Sequence, residues 1–493
     1  MYVGLDIGTT ITKAVAFDEE GQECDVASAP THLHNPSPGH YEHDIDEIMV
    51  AVRDVLSRVA AGRRPAAVGV TAQGDGLWLL DEDGGAVSPA ISWLDSRATP
   101  IMERWNADGT ADAVFDRCGG MMFSGAAAPL LAYVDKTEPR TLERAATAGY
   151  CKDAVMQRLT GVRSTDISDA SMPFVDVRTR DYDPRVLTLC GLDRWSHLLA
   201  PVAEQYGPLA PLVDDSGIGV PTGTPVSCGP YDLPASAMGA GVLSPGDALI
   251  TIGTTLACQV ATDDPTPGGV RAGLTLGTWR KDRWMRAMPA MVGAAALDRM
   301  LDLVGASPAD LSELLEQSPP GARGVSVLPF WSPAGERAPF LEPRARGRID
   351  GIDLATTRAD LVRAVCEGVA YAARHCLEAA GWNGRVTVCG GGARSDAWLD
   401  IFAGVLGRTL HVAPGSEVGA RGAVLGAVEA LGHKIDVDTW TGSTRSRVPD
   451  PTLVDHYEHG YRNYLERVAS ARAHWRSVGS VTVADDPQGG ART

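Results

Sequence analysis

Residues 2–21 read YVGLDIGTTITKAVAFDEEG, and this stretch decides the fold class of the chain. Short apolar and polar residues alternate over 2–7 and again over 11–17, which is typical of two β-strands. The connecting residues Gly8-Thr9-Thr10 are small and rich in hydroxyl groups. The stretch predicts a β-hairpin whose tip can hold phosphate oxygens through backbone N–H groups and hydroxyls. Taken alone, it fits a plain hairpin with a polar turn equally well.

A second hairpin of the same kind is predicted half a chain later. The tetrapeptide Ile-Gly-Thr-Thr occurs at 7–10 and again at 252–255, each time in a strand–turn–strand context. Strands and helices alternate elsewhere, as in the predicted helix 358–380 and the strand 386–388 that follows it. Residues 419–431 predict a helix of small residues that can pack tightly against a sheet. The sequence therefore predicts an α/β fold with two similar domains facing each other.

The composition excludes several classes of protein. The 493 residues carry 62 acidic and 44 basic side chains, a formal charge of -18, which disfavours nucleic acid or a membrane surface as the main partner. The nine cysteines include no C-x-x-C pair, and no basic segment followed by an apolar stretch opens the chain. These features predict a cytoplasmic protein with reduced thiols. No lysine follows a glycine, so there is no P-loop.

Two loops of the first half carry side chains suited to a polyhydroxylated ligand. Gln73-Gly74-Asp75-Gly76 follows a predicted strand, with Trp78 beyond it, and Trp93 precedes Asp95 and Arg97. Hydroxyl groups need polar partners, and the C–H faces of a sugar need aromatic ones. We therefore expect a sugar or polyol at these loops. The alternative is a pair of polar turns with a surface ion pair between Asp95 and Arg97.

Two further segments are candidates for catalysis and nucleotide binding. Asp232 lies where a helix N-cap belongs, and the same carboxylate could accept a proton from a substrate hydroxyl. Asp6, at the end of the first strand, could hold Mg²⁺ through water. The triplet Gly390-Gly391-Gly392 allows a flat ring or a ribose to approach the backbone closely, although a tight turn between a strand and a helix explains it as well.

Together these features resemble the FGGY carbohydrate kinase family, which includes glycerol kinase and xylulokinase. The segment 335–351, GERAPFLEPRARGRIDG, is similar to the family's G-E-R-x-P…P-x-A-R-G…G motif. Residues 360–367 resemble its second signature, with Cys366 where a larger apolar residue is usual. The resemblance covers residues 1–465. It implies two actin-like (ribonuclease H-like) domains with a ligand cleft between them: 1–243 on the sugar side and 244–470 on the nucleotide side, followed by a loose tail at 471–493.

The resemblance also implies a reaction and a set of site residues. It implies ATP-dependent phosphorylation of a small sugar or polyol, with ATP and Mg²⁺ as cofactors. Asp232 matches the general base, and Asp6 and Asp232 are expected to lie at the metal. The expected sugar-binding residues are Gln73, Asp75, Trp78, Trp93 and Asp232. The expected nucleotide-binding residues are Thr9, Thr10, Lys13, Gly253, Thr254, Gly293, Gly391, Gly392 and Asp396.

Departures from the family pattern narrow the expected substrate. Glycerol kinase has Gln-Arg-Glu where this chain has Gln73-Gly74-Asp75, so glycerol is not expected to be the best substrate. The family's first signature has a Lys before Leu-Leu-Trp, whereas residues 129–133 read PLLAY. The loop 73–78 and the pair Tyr231-Asp232 look more like the erythritol and L-xylulose kinase branch. We therefore expect a four- or five-carbon polyol or ketose.

An alternative function stays open on the same scaffold, because a fold does not by itself decide an activity. It is a non-catalytic, nucleotide-dependent sugar sensor. The resemblance leaves the oligomeric state open and is compatible with a homodimer.

Overall fold

The computed structural model describes residues 1–203, 209–213, 217–266, 271–434, 436–443 and 445–478, and all structural statements concern these residues. The strands are β1 (Tyr2–Ile7), β2 (Ile11–Phe17), β3 (Glu23–Pro30), β4 (His34–Ser37), β5 (His40–His43), β6 (Val68–Ala72), β7 (Trp78–Leu80), β8 (Ala90–Ile91), β9 (Thr147–Gly149), β10 (Leu209–Pro211), β11 (Pro225–Cys228), β12 (Ala248–Ile252), β13 (Leu256–Thr262), β14 (Leu274–Gly277), β15 (Trp284–Ala290), β16 (Ser326–Leu328), β17 (Arg348–Asp350), β18 (Val386–Cys389), β19 (Leu410–Val412) and β20 (Arg445–Arg447). The helices are α1 (Ile45–Ala60), α2 (Thr99–Asp108), α3 (Thr110–Cys118), α4 (Ala127–Thr137), α5 (Pro139–Arg144), α6 (Cys151–Thr160), α7 (Ile167–Ala170), α8 (Pro184–Cys190), α9 (Asp232–Gly239), α10 (Ala294–Leu303), α11 (Leu311–Gln317), α12 (Arg358–Ala379), α13 (Asp396–Leu406), α14 (Val418–Ala430), α15 (Val437–Thr441) and α16 (Val454–Val478).

The first large sheet is built around the predicted first hairpin. Its six strands lie in the order β10-β11-β6-β1-β2-β3. In β1, Leu5 is opposite Ala14 of the antiparallel β2 on one side and Val70 of the parallel β6 on the other. All three side chains are fully buried, because the central strands are covered on both faces.

The second large sheet repeats this plan around the second hairpin. Its strands lie in the order β14-β15-β13-β12-β18-β19-β20. Like β1 in the first sheet, β12 pairs antiparallel with its hairpin partner, β13, and parallel with a later strand, β18. The repeated strand order confirms the predicted α/β fold with two actin-like domains.

Helix α14 comes from the second half of the sequence but packs on the first sheet. It contacts β1 and β6, and also helix α9 of the first half. Glycines make the close approach to the sheet feasible: a Cβ atom on Gly4 would lie 2.4 Å from the carbonyl oxygen of Ala420, and one on Gly69 would lie 2.3 Å from that of Ala423. The predicted helix of small residues is thus confirmed. The domain boundary expected at residue 243 stays a prediction. Helix α14 shows that the chain returns to the first sheet after this boundary.

The C-terminal helix α16 corrects the predicted start of the tail. The helix continues to Val478, and Ala471 and Trp475 lie in the core of the second half. The Trp475 ring packs edge-to-face on Phe330, with a centroid distance of 5.7 Å. Residues 471–478 are therefore part of the packed structure, because an indole buried at the helix end anchors its last turns. The remaining predicted tail, 479–493, lies outside the described residues.

Within the described ranges, no helix combines the length and the apolar character needed to cross a membrane.

Candidate active site

A cavity of about 160 Å³ lies in the cleft between the two sheets, and both halves of the chain line it. The first half contributes Thr9, Gly74, Asp75, Trp93, Met121, Phe123, Tyr231, Asp232 and Leu233. The second half contributes Thr255, Ala257, Gly273, Leu274, Pro289 and Arg337. Four residues expected from the sequence, Thr9, Asp75, Trp93 and Asp232, are thus brought together in one cavity.

Asp232 is the first residue of α9 and does not cap it. The N-cap is Tyr231, whose backbone N–H donates to the Ser168 hydroxyl at 3.0 Å. The predicted capping role of Asp232 is therefore wrong by one residue. Because the Asp232 carboxylate does not cap the helix, it can interact with a ligand in the cavity that it lines.

The two hairpin tips offer unpaired backbone donors. At the first tip the N–H of Gly8 donates to Ile11, and at the second the N–H of Gly253 donates to Thr255. Among the described residues, no acceptor pairs with the N–H groups of the two threonines at either tip. Successive free N–H groups in a tight turn suit phosphate oxygens.

Gly293 joins the second tip to helix α10. Its N–H donates to the carbonyl of Thr254 at 2.9 Å, and the N–H of Ala294 donates to that of Gly253 at 2.7 Å. A Cβ atom on Gly293 would lie 2.6 Å from the carbonyl oxygen of Thr255. The predicted site glycine is therefore required by close backbone packing, which holds the tip in place.

The glycine triplet after β18 divides into two roles. A Cβ atom on Gly392 would lie 2.3 Å from the side chain of Ile252, so this glycine is required by packing. One on Gly391 would meet nothing within 4 Å. Gly391 is therefore the member of the predicted pair that can border a ligand.

Two of the predicted nucleotide-binding side chains are engaged in ion pairs. Lys13 donates to both carboxylate oxygens of Glu417, at 3.0 and 2.8 Å. Asp396 pairs with Arg445 and Arg447 of β20. Neither residue lines the cleft cavity, and a nucleotide would have to share or displace these partners.

The structure places Trp78 in the core and not at the cavity. Its side chain is 2% exposed and stacks on His43, with a centroid distance of 5.9 Å. Strand β7 turns this indole inward, so direct contact with a sugar does not fit its position. Gln73 is also buried, with its amide between Thr9 and His43, and it does not line the cavity.

Three partly buried carboxyl groups interact at or beside the cavity, and removal from water raises the pKa of each. The pKa of Asp6 rises to about 6, and those of Asp75 and Asp232 rise to about 7. Repulsion from Asp6 and Asp75 adds to the effect of burial at Asp232. Such a concentration of partly buried acids suits a general base that operates near neutral pH and a site for a cation.

Arg337 is a site residue that the sequence analysis missed. It lines the cavity together with Asp75, and its charge opposes the effect of desolvation by lowering the pKa of that carboxyl group. Its guanidinium group lies 5.2 Å from the ring centre of Phe123 and 5.8 Å from that of Trp93, and its Nε donates to the carbonyl of Pro289. The family-like segment 335–351 contained this arginine, but its proximity to Asp75 depends on how the two halves meet.

Comparison with known proteins identifies the family of the chain. The model of the FGGY family of carbohydrate kinases, N-terminal domain, matches residues 1–239, and the C-terminal domain model matches 248–431. The chain is 30% identical to the erythritol kinase of Brucella abortus (strain 2308), over 97% of this chain and 98% of that one. It is 30% identical to the xylulose kinase of Escherichia coli (strain K12), over 85% and 87% of the two chains.

A solved structure extends the comparison to the fold. The xylulose kinase of Rhodospirillum rubrum superimposes with a TM-score of 0.87 at 27% identity, covering 96% of this chain and 99% of that one. The family models and the relatives define a two-domain phosphotransferase. The chain belongs to the FGGY family of carbohydrate kinases.

Proposed function

We propose that the protein phosphorylates a four- or five-carbon polyol or ketose with ATP in the cleft cavity. The observation that carries the proposal is the shared cavity: Asp232, Asp75 and the first hairpin tip all border it. A small cavity with acids and an arginine suits a short, hydroxyl-rich substrate. The names of the two relatives, an erythritol kinase and a xylulose kinase, support the same substrate class.

Asp232 acts as the general base of the reaction. A substrate hydroxyl donates its hydrogen bond to the carboxylate and passes its proton there as its oxygen attacks the γ-phosphorus of ATP, while the bond from that phosphorus to the β–γ bridging oxygen breaks and ADP leaves. The raised pKa of about 7 makes this carboxylate a stronger proton acceptor than an ordinary aspartate. The transfer needs in-line positioning, which the arrangement of the base and the phosphate tips in one cleft supports.

Asp75 and Arg337 bind the other hydroxyls of the substrate. The Asp75 carboxylate accepts hydrogen bonds from substrate hydroxyls, and the Arg337 guanidinium donates to hydroxyl oxygens. Together the two side chains can bind two hydroxyl groups of one substrate. Trp93 and Phe123 supply aromatic surfaces for the C–H faces of the carbon chain. The substrate is thereby oriented by polar groups and excluded from water by rings.

The hairpin tips hold the phosphates of ATP through the free N–H groups of Thr9, Thr10, Thr254 and Thr255. The remaining nucleotide contacts expected from the sequence extend along the second half, with Gly391 bordering the ligand. Asp6 and Asp232 fit a Mg²⁺ site, because this ion normally takes one or two protein carboxylates and completes its shell with phosphate oxygens and water. When bound, Mg²⁺ would neutralise charge on the transferred phosphate.

The cysteines and the comparisons bear on the remaining expectations. All nine cysteines are free and eight are buried, which supports a cytoplasmic enzyme with reduced thiols. The relatives described above are named as kinases, and nothing supports the alternative of a non-catalytic sensor.

The proposal is tested with a panel of polyols and ketoses of three to seven carbons in a coupled ADP-release assay. We expect the highest kcat/KM for a four- or five-carbon compound and a low value for glycerol. The Asp232→Asn variant serves as the control for contaminating kinases. Preference for glycerol or for a six-carbon sugar would refute the substrate class, and ADP release that is independent of every compound would refute the kinase assignment.

A further inference from the structure

A chain of hydrogen bonds connects the cavity wall to the core of the first half. The indole Nε1–H of Trp93 donates to Oγ1 of Thr9 at 2.9 Å. That hydroxyl donates to Oε1 of Gln73 at 3.0 Å, and Nε2 of Gln73 lies 3.2 Å from Nε2 of His43. We call these four residues the His43–Trp93 chain. It starts at a cavity-lining ring, passes through the first hairpin tip and ends at a histidine that is 1% exposed.

The direction of every hydrogen bond in the chain is fixed by its two ends. Nδ1 of His43 lies 2.8 Å from the carbonyl oxygen of His32, which can only accept, so Nδ1 carries the hydrogen. Burial lowers the pKa of His43 and keeps the ring neutral, so its Nε2 must accept. Gln73 therefore turns its NH₂ group to His43 and its carbonyl oxygen to Thr9. At the other end, an indole N–H can only donate.

This direction decides what Thr9 can do. Its hydroxyl hydrogen is committed to Gln73, and one of its lone pairs is taken by Trp93. The side chain therefore cannot donate to a phosphate without breaking the chain, so the phosphate must be met by the free backbone N–H groups of the tip. The hydroxyl instead ties the position of the tip to the ring that borders the substrate.

We propose that His43 and Gln73 are positioning residues that fix the first hairpin tip against Trp93, so that nucleotide binding at the tip is transmitted to the sugar wall. Neither side chain lines the cavity, and both act through Thr9. The inference rests on the proposed function in one respect, that the tip receives the phosphates of the nucleotide. It adds a physical link between the two ligands of the enzyme.

The test follows the indole N–H resonance of Trp93 in the full-length protein labelled with ¹⁵N-tryptophan, with ADP and Mg²⁺ as the probe. The resonance is assigned by its loss in Trp93→Phe. His43→Phe keeps an aromatic ring against Trp78 but removes the nitrogen that accepts the hydrogen bond from Gln73. Gln73→Met removes the amide that joins Thr9 to His43, and it serves as a second way to break the His43–Trp93 chain if His43→Phe does not fold. His43→Gln restores an acceptor of similar reach. Calorimetry measures ADP affinity in each protein.

We expect ADP to shift the Trp93 resonance in the wild type and in His43→Gln but not in the two broken chains. ADP binding should weaken about threefold to tenfold in the broken chains, the effect of losing one hydrogen bond. The indole of Trp195, bonded to Asp135, should give an unchanged signal throughout. The inference is overturned if ADP does not shift the Trp93 resonance in the wild type, or shifts it equally in His43→Phe. Either result leaves the outcome of the kinase assay unchanged. Failure of the wild type to bind ADP overturns both proposals.

Discussion

The two hairpin tips have the same sequence and different surroundings. At the first tip, the side chain of Thr9 is bonded to Gln73 and Trp93, which belong to the sugar side. At the second, the backbone carbonyls of Gly253 and Thr254 accept hydrogen bonds from the start of helix α10. The first tip is therefore tied to the sugar side through the Thr9 side chain, in addition to a main-chain bond from Thr31 to Thr10, whereas the second tip is tied to helix α10 through its main chain. Identical tetrapeptides can serve different purposes, because their neighbours decide which groups remain free.

The same contrast extends to the strand ends around each tip. Asp6 before the first tip corresponds to Thr251 before the second, and the loop that follows β6 corresponds to the loop that follows β18 and contains the triplet 390–392. The cleft-facing acids with raised pKa values thus come from the first half, which also supplies Asp232. The second half supplies glycines, which allow close backbone approach. For the residues tested below, this division predicts that substituting the first-half acids Asp232 and Asp75 acts on the chemistry and the sugar, whereas substituting the second-half glycine Gly293 acts on the nucleotide.

The largest effect is expected for Asp232→Asn, which tests whether the chemistry belongs to the first half. An amide can hydrogen-bond the substrate hydroxyl but cannot take its proton. We expect kcat to fall by about 10²–10⁴-fold while the fold and both ligand affinities are retained. Steady-state kinetics and thermal melting measure these quantities. A loss of less than about tenfold in a folded variant would exclude Asp232 as the general base.

Asp75→Asn tests whether the first half also reads the sugar. Losing a charged acceptor for substrate hydroxyls should raise the sugar KM at least about tenfold. The KM for ATP should hardly change, and it serves as the internal control. Equal changes in both KM values would place Asp75 outside the sugar site. Replacing the neighbouring Gly74 is a poorer test, since a Cβ atom there would lie 2.6 Å from the ring of Tyr231.

The sequence predicted those parts of the molecule that depend on local pattern. Alternating residues and small turns were sufficient for both hairpins, and Asp232 was recognised beside a helix start. The presence of Asp75 and Arg337 in one cavity could not be predicted, because the two residues come near each other only when the halves come together. Trp78 was misplaced because a three-residue strand does not reveal which face is buried. The predicted start of the tail, residue 471, was too early because Trp475 packs on Phe330, which is distant in the sequence.

Gly293→Ala tests the main-chain attachment to helix α10 that holds the second tip. The added methyl group would meet the carbonyl of Thr255 at 2.6 Å, so the tip or helix α10 must shift. Overpacking of this kind costs about 1–3 kcal/mol. We expect the KM for ATP to rise about tenfold with little change in the sugar KM. The matched control is Gly426→Ala in helix α14, where a Cβ atom meets nothing within 4 Å and ATP binding should not change.

Asp6→Asn compares the two corresponding strand ends, and its expected effect is on the stability of the unliganded protein. The pKa of Asp6 is raised from its ordinary value to about 6 by burial, so the folded state holds a proton between pH 4 and 6 that the unfolded state releases. The stability of the unliganded wild type therefore falls as the pH rises through this window.

Asparagine removes the buried charge and so removes this loss. In urea unfolding without Mg²⁺ or nucleotide, Asp6→Asn should be more stable than the wild type by roughly 1–3 kcal/mol at pH 8, and the difference should disappear near pH 4. Thr251→Asn, at the corresponding position of the second half, should change stability by the same amount at both pH values. If the difference in unfolding free energy between Asp6→Asn and the wild type did not depend on pH, burial would not raise the pKa of this carboxyl group. Its pairing with Asp232 as the acidic, cation-binding side of the cleft would then lose its electrostatic basis.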